Sequence, residues 1–113
     1  MEPETAAAIF EALAAEARLA VFRLLTQNAP YGLVAGEISG QLSIPKSNLS
    51  FHLKNMERSG LVSMTREGRN TRYKANIPIM LEAINYLTDG CLSKSNEQRP
   101  LQRKAASVPP ELL

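Results

Sequence analysis

The chain has 113 residues, 44% of them apolar, with no Trp and a single Cys, which sets a ceiling of one small domain with a modest core of Leu, Ile, Val and Ala. One Cys excludes an internal disulfide framework and fits a reducing cytoplasm, where the protein is expected to act. No apolar run nears the roughly 18 residues of a membrane span, and the opening MEPETAAAIF lacks the basic leader of a signal peptide. The formal charge of +2 conceals an asymmetry, because Lys46 to Lys74 holds seven basic and two acidic residues, a local +5 against −3 elsewhere.

Taken in order, Thr5 to Leu13 is apolar at Ala6, Ile9, Phe10 and Leu13, the spacing of an amphipathic helix with Thr5 as N-cap. A second helix with the stripe Leu19, Phe22 and Leu25 stops at Asn28-Ala29-Pro30. After a turn at Tyr31-Gly32, Ala35 to Leu42 forms a short third helix with Ile38 and Leu42 inward. Pro45 lies in the first turn of a fourth helix that runs to about Arg58, with Leu49, Leu53 and Met56 as its core stripe and Gly60 as its stop. Residues 61–66 and 71–75 read as two strands joined by Glu67-Gly68-Arg69-Asn70. A last helix starts at Pro78, carries Ile79, Met80, Ala83, Ile84 and Leu87, and ends near Asp89-Gly90. Residues 92–113 show no period and read as a flexible tail.

This order is helix, turn, helix and then a basic hairpin. On a wheel of about 100° per residue, the face of the fourth helix opposite its core stripe carries Ser47, Phe51, Lys54 and Arg58, flanked by Asn48, Ser50 and Asn55. Hydroxyls let a helix approach closely, amides read base edges and cations take phosphates. Phe51 either packs on thymine methyls and sugar or lies over a neighbouring helix. His52 borders the core stripe and reads as a hydrogen-bonding strut between helix and backbone rather than a base reader or metal ligand. Arg66, Arg69 and Arg72 cluster along the hairpin, where they reach phosphates or the minor groove. The expected DNA contacts are Lys46, Ser47, Asn48, Ser50, Phe51, His52, Lys54, Arg66, Arg69 and Arg72. One Cys, one His and no carboxylate cluster leave no nucleophile–base constellation, so no catalytic residue is expected and the protein is not an enzyme. A protein-interaction module without a DNA target is the alternative from another class.

Phe10-Glu11-Ala12-Leu13, Glu16-Ala17-Arg18-Leu19, Leu24-Leu25, Ser47 to Lys54, Gly60-Leu61-Val62 and Arg66-Glu67-Gly68-Arg69 together resemble the ArsR/SmtB family of winged-helix repressors, over about residues 8–90. The resemblance implies a mainly α fold of about five helices with a two-stranded wing. Residues 1–90 would be the DNA-binding and dimerisation domain and residues 91–113 a tail. It further implies a homodimer packed through the first and last helices, bound to an inverted-repeat double-stranded DNA operator and released by an effector.

Two family metal sites have no counterpart in this chain. The helix before the fourth reads Gly32-Leu33-Val34-Ala35-Gly36-Glu37 with no thiol, and the last helix has no His, since the sole His is His52. Cys91 resembles a branch whose last helix ends in adjacent cysteines that bind trivalent arsenic, although Leu92 stands where the second would be. No cofactor is required, and three readings of Cys91 stay open: a ligand to As(III) or Sb(III), a redox switch, or an inert small residue.

Overall fold

The computed structural model of the protein describes residues 1–93, with side chains described through Asp89. Helix α1 spans Pro3–Ala12, α2 Glu16–Gln27, α3 Ala35–Leu42, α4 Lys46–Arg58 and α5 Ile77–Ser93. Strand β1 is Leu33–Val34, β2 Val62–Glu67 and β3 Asn70–Ala75, in one antiparallel sheet of order β1-β3-β2. The five helices match the expected number, and the two strands become three.

Most expected elements stand, with differences that have local causes. Helix α1 begins at Pro3 rather than Thr5, because Pro fits the first helical turn, where its missing N–H is not needed. In α2 the buried stripe is Val21, Phe22 and Leu25, while Leu19 is turned to solvent. Strand β1 exists only through its partner: Leu33 pairs with Tyr73 and Val34 with Arg72, and two residues have no strand signal of their own. Helix α5 continues through Asp89-Gly90 to Ser93. An interior Gly costs a helix only about 1 kcal/mol and does not by itself end it. The expected boundary at residue 90 therefore falls inside α5, and residues 94–113 lie outside the described residues.

The core gathers Ile9 and Ala12 of α1, Val21, Phe22 and Leu25 of α2, Ile38 of α3, Leu49, Leu53 and Met56 of α4, Leu61, Val62 and Ala83. Each large aliphatic side chain here contributes about 1.5–3 kcal/mol on leaving water. Three of them belong to α4, so that helix is clamped by its inner stripe while its outer face is left to solvent.

Two glycines fix the connections around α4. Gly32 has φ +73°, and a Cβ there would stand 2.1 Å from the Tyr73 carbonyl oxygen, so only Gly allows the chain to enter β1 against β3. Gly60, at φ +86°, follows α4 and turns the chain into β2. Asn76 then ties the end of α4 to the start of α5. Its side-chain Nδ2 donates to the Gly60 carbonyl at 2.9 Å, its Oδ1 accepts from the Ile79 N–H at 3.4 Å, and its own N–H donates to Leu61 O at 2.8 Å.

Candidate nucleic-acid interface

The turn into α4 is built locally. Ser43 takes a left-handed conformation (φ 54°), Ser39 Oγ donates to the Ile44 carbonyl at 2.6 Å, and Pro45 stands just before the helix, which begins at Lys46 rather than at the proline. Glu37, in the first turn of α3, accepts from the Val34 N–H at 3.0 Å, so the helix before the turn is held at both ends. The outer face of α4 carries Lys46, Ser47, Asn48, Ser50, Phe51 and Lys54, all exposed. Phe51 is 66% exposed, which removes the alternative that it lies over a neighbouring helix. At the centre of a polar helix face, this ring offers a partner surface apolar area to bury.

The hairpin closes tightly. Glu67 pairs with Asn70, leaving Gly68-Arg69 at the tip with Gly68 at φ +63°. Its three arginines are not equivalent. Arg69 and Arg66 are exposed, the latter only loosely held by Thr71 Oγ1 at 3.5 Å. Arg72 is engaged within the fold: Nε sits 2.8 Å from Glu67 Oε2 and Nη1 donates to the Gly32 carbonyl at 3.3 Å. The hydrogen bond to Glu67 raises the Arg72 pKa above its ordinary value, with the nearby Glu67 and Glu37 charges adding to it against some desolvation. Among the three, Arg72 is the one whose charge is already answered.

Helix and hairpin meet in an open cleft of about 260 Å³, where Lys46 and Ser50 of α4 face Arg69, Asn70, Thr71 and Tyr73 of the hairpin. Burial, then the Glu57 charge, raises the Tyr73 pKa against a smaller lowering effect of Arg66. The structure thus brings Lys46, Ser50 and Arg69 to one cleft and sets Ser47, Asn48, Phe51 and Lys54 on the face beside it. Lys54 and Arg66 do not line the cleft. Asn70 and Thr71 also line the cleft and join the expected contact set, and their place beside Arg69 in the hairpin is the sequence signal for them.

His52 is half-buried, and its hydrogen-bond partner is a side chain rather than backbone: Arg18 Nη1 lies 3.4 Å from His52 Nδ1. Nothing in one sequence pairs Arg18 with a residue 34 positions away. Cys91 lies on the backbone of α5, and its side chain is outside the described residues. Among the described residues no three His, Cys, Asp or Glu converge as a metal site, and no helix is long and apolar enough to cross a membrane.

A family described as "Helix-turn-helix domain" matches residues 13–65. The HTH-type transcriptional regulator CmtR of Mycobacterium bovis is 32% identical over 72 residues, 64% of this chain and 61% of CmtR, so the match leaves over a third of that relative uncovered. The transcriptional activator HlyU of Vibrio cholerae is 33% identical over 92 residues, 77% of this chain and 82% of HlyU. Its solved structure, at 32% identity, superposes with a TM-score of 0.62 over 77% of this chain and 97% of that one. At 21% identity the homodimeric winged helix-turn-helix domain Mb0332 of Mycobacterium bovis, a possible ArsR-family regulator, has a TM-score of 0.62 over 85% of this chain and 84% of its own.

Proposed function

The chain belongs to the ArsR-type winged-helix family of DNA-binding transcriptional regulators, and from that premise we propose a homodimeric repressor that grips an inverted-repeat operator and lets go when Cys91 meets its effector. The observation that carries the DNA contact is the cleft in which the N-terminus of α4 and the tip of the hairpin converge. Ser47, Asn48, Ser50, Phe51 and Lys54 face the bases and their edges in the major groove, Lys46 and Arg69 take phosphates, and Arg66 reaches outward along the wing. Arg72 contributes by holding the wing in shape. Family membership establishes regulation through DNA and leaves the DNA-free interaction module without support. HlyU carries the name of an activator, so repression is part of the proposal rather than of the family.

The dimer rests on α5. Only Ala83 of its described side chains is buried, while Leu81, Ile84 and Leu87 are 60%, 47% and 65% exposed. Together with the half-buried Met80 they leave an apolar surface beside α1 that the chain itself does not cover. A second copy would cover it, and the similar domain Mb0332 is described as homodimeric. A two-fold dimer would space the two α4 helices for successive major grooves.

Cys91 supplies the effector chemistry. Trivalent arsenic or antimony exchanges oxygen ligands for thiolates, releasing water. Two Cys91 thiols, one from each copy, plus one small-molecule thiol would complete three sulfurs. A redox reading is the second: two Cys91 thiols give up two electrons and two protons to a peroxide and form a disulfide across the dimer. HlyU has a structure described as reduced, which favours keeping this reading. DNA release titrated with arsenite, antimonite and hydrogen peroxide decides between them. Loss of all three responses in Cys91→Ser supports the thiol, and an unchanged response overturns both readings. Sedimentation of the free protein as a monomer at micromolar concentration would overturn the dimer, and a reporter gene switched on by the protein would overturn repression. Since both DNA and reduced thiol are needed, the cytoplasm is the proposed place of action.

A further inference from the structure

Arg18 joins three helices through one guanidinium. Standing near the start of α2, its Nε donates to the carbonyl of Ala12, the last residue of α1, at 2.7 Å, and its Nη1 approaches His52 Nδ1 of α4 at 3.4 Å. The first bond satisfies a carbonyl that the end of a helix leaves without a partner. The second is more informative. A guanidinium only donates, so Nδ1 must accept, and a neutral imidazole that accepts at Nδ1 carries its proton on Nε2. That second nitrogen has no partner among the described residues and is not buried. The ring stands edge-on to Phe51, with centroids 5.8 Å apart and an interplanar angle of 69°, and so lies beside the outward face of α4.

We infer that Arg18 is a positioning residue that locks His52 in its Nε2–H tautomer and thereby offers a neutral, fixed hydrogen-bond donor to the operator's phosphate backbone. Resting on the reading of α4 as the recognition helix, this places a positioning residue from outside the helix-turn-helix behind one of its contacts. A phosphate oxygen is the matching partner, because it only accepts and the locked Nε2–H only donates. His52 borders the core stripe, so its ring points toward a groove wall rather than its floor, where base edges would be read. Being neutral, the contact helps fix register on the duplex without releasing a counterion. The same guanidinium would also tie that donor to the α1–α2 corner, so that α4 and the layer behind it keep one orientation.

His52 is the only histidine, so the imidazole of a histidine-15N-labelled protein gives one unambiguous pair of nitrogen signals. At neutral pH the free wild type should show the Nε2–H tautomer, and Arg18→Met should show a mixture while its thermal transition remains cooperative. A wild type with the proton on Nδ1, or an Arg18→Met spectrum identical to wild type, overturns the lock. For the DNA contact, His52→Asn keeps a polar atom near Nδ1 and loses the distal donor, whereas His52→Gln places an amide nitrogen where Nε2 stood. Operator affinity should fall roughly three- to tenfold in His52→Asn with an unchanged salt slope, and largely recover in His52→Gln. Equal affinities in all three overturn the phosphate contact, as does a salt slope reduced by about one per subunit, which would mark a charged imidazolium. A wild type that binds no duplex at all overturns the recognition-helix reading and the phosphate contact with it; the nitrogen spectrum still judges the Arg18 lock alone.

Discussion

Arg69→Ala and Arg72→Ala should separate cleanly in their dependence on salt. Arg69 stands exposed at the tip of the hairpin with no described partner, so its charge is free to displace a counterion from DNA. Each phosphate neutralised contributes about 0.9 to the slope of log affinity against log salt, and two copies in a dimer make that about 1.8. Raising salt fourfold, from about 50 to 200 mM, should therefore cost wild type about twelvefold more affinity than it costs Arg69→Ala. The loss at low salt should be similar on operator and on unrelated duplex, because phosphates carry no sequence. Arg72 is already held by Glu67 Oε2 at 2.8 Å and by the Gly32 carbonyl at 3.3 Å. Arg72→Ala should leave the slope nearly unchanged and instead speed amide exchange across the Glu67–Asn70 turn. Fluorescence anisotropy at four or five salt concentrations reads the slope, and exchange by NMR reads the turn. Equal slopes for the two variants would refute the division of the wing into one free and one committed arginine.

Other substitutions probe the frame that holds the interface. Gly32→Ala should cost about 1–3 kcal/mol from its φ of +73° alone, and the collision with the Tyr73 carbonyl should add to this by parting β1 from β3. A urea midpoint equal to wild type would contradict it. Asn76→Ala removes the cap of α5 and the bond to Gly60 O. At about 1 kcal/mol for each, the loss is about 2 kcal/mol, measured by urea unfolding at a fixed protomer concentration. Leu87→Glu places a charge on a residue 65% exposed in the single chain, so it should barely perturb that chain while dissociating the proposed dimer. Equilibrium sedimentation checks this, and a Leu87→Glu dimer as tight as wild type would move the interface off α5.

What could be seen in the sequence, and what could not, follows from how far each signal reaches along the chain. The stripe Leu49, Leu53 and Met56 is a local period, and all three are at most 1% exposed, so α4 and its outward face followed directly. The turn residues Gly60 and Gly68 are likewise local, since a positive φ selects Gly wherever it occurs. Leu19 failed because a helix of twelve residues admits two overlapping apolar stripes. Which one faces inward is set by where α4 and β3 stand, not by α2. Strand β1 failed for a related reason: two residues become a strand only when Tyr73 and Arg72 are beside them. The inequality of the arginines was hidden too. Composition counts Arg66, Arg69 and Arg72 alike, whereas the salt bridge from Arg72 to Glu67 depends on the register of the hairpin.

The layout of these ties bears on how a signal at α5 could reach DNA. The turn after α4 is held at Gly60 and Leu61 by Asn76, the residue before α5, and α4 itself is reached at mid-length by Arg18, which also holds the last carbonyl of α1. Helices α1 and α5 pack on one another and form the layer beside the uncovered apolar surface. A rearrangement of that layer therefore has two ways to act. Either α4 moves with it, changing the distance between the two recognition helices of a dimer, or the bonds at Asn76 and Arg18 break and α4 loses its orientation. Both outcomes would lower the affinity of the proposed dimer for an operator of fixed half-site spacing. The tight core under Leu49, Leu53 and Met56 favours the first, because a close-packed helix shifts as a body more readily than it deforms.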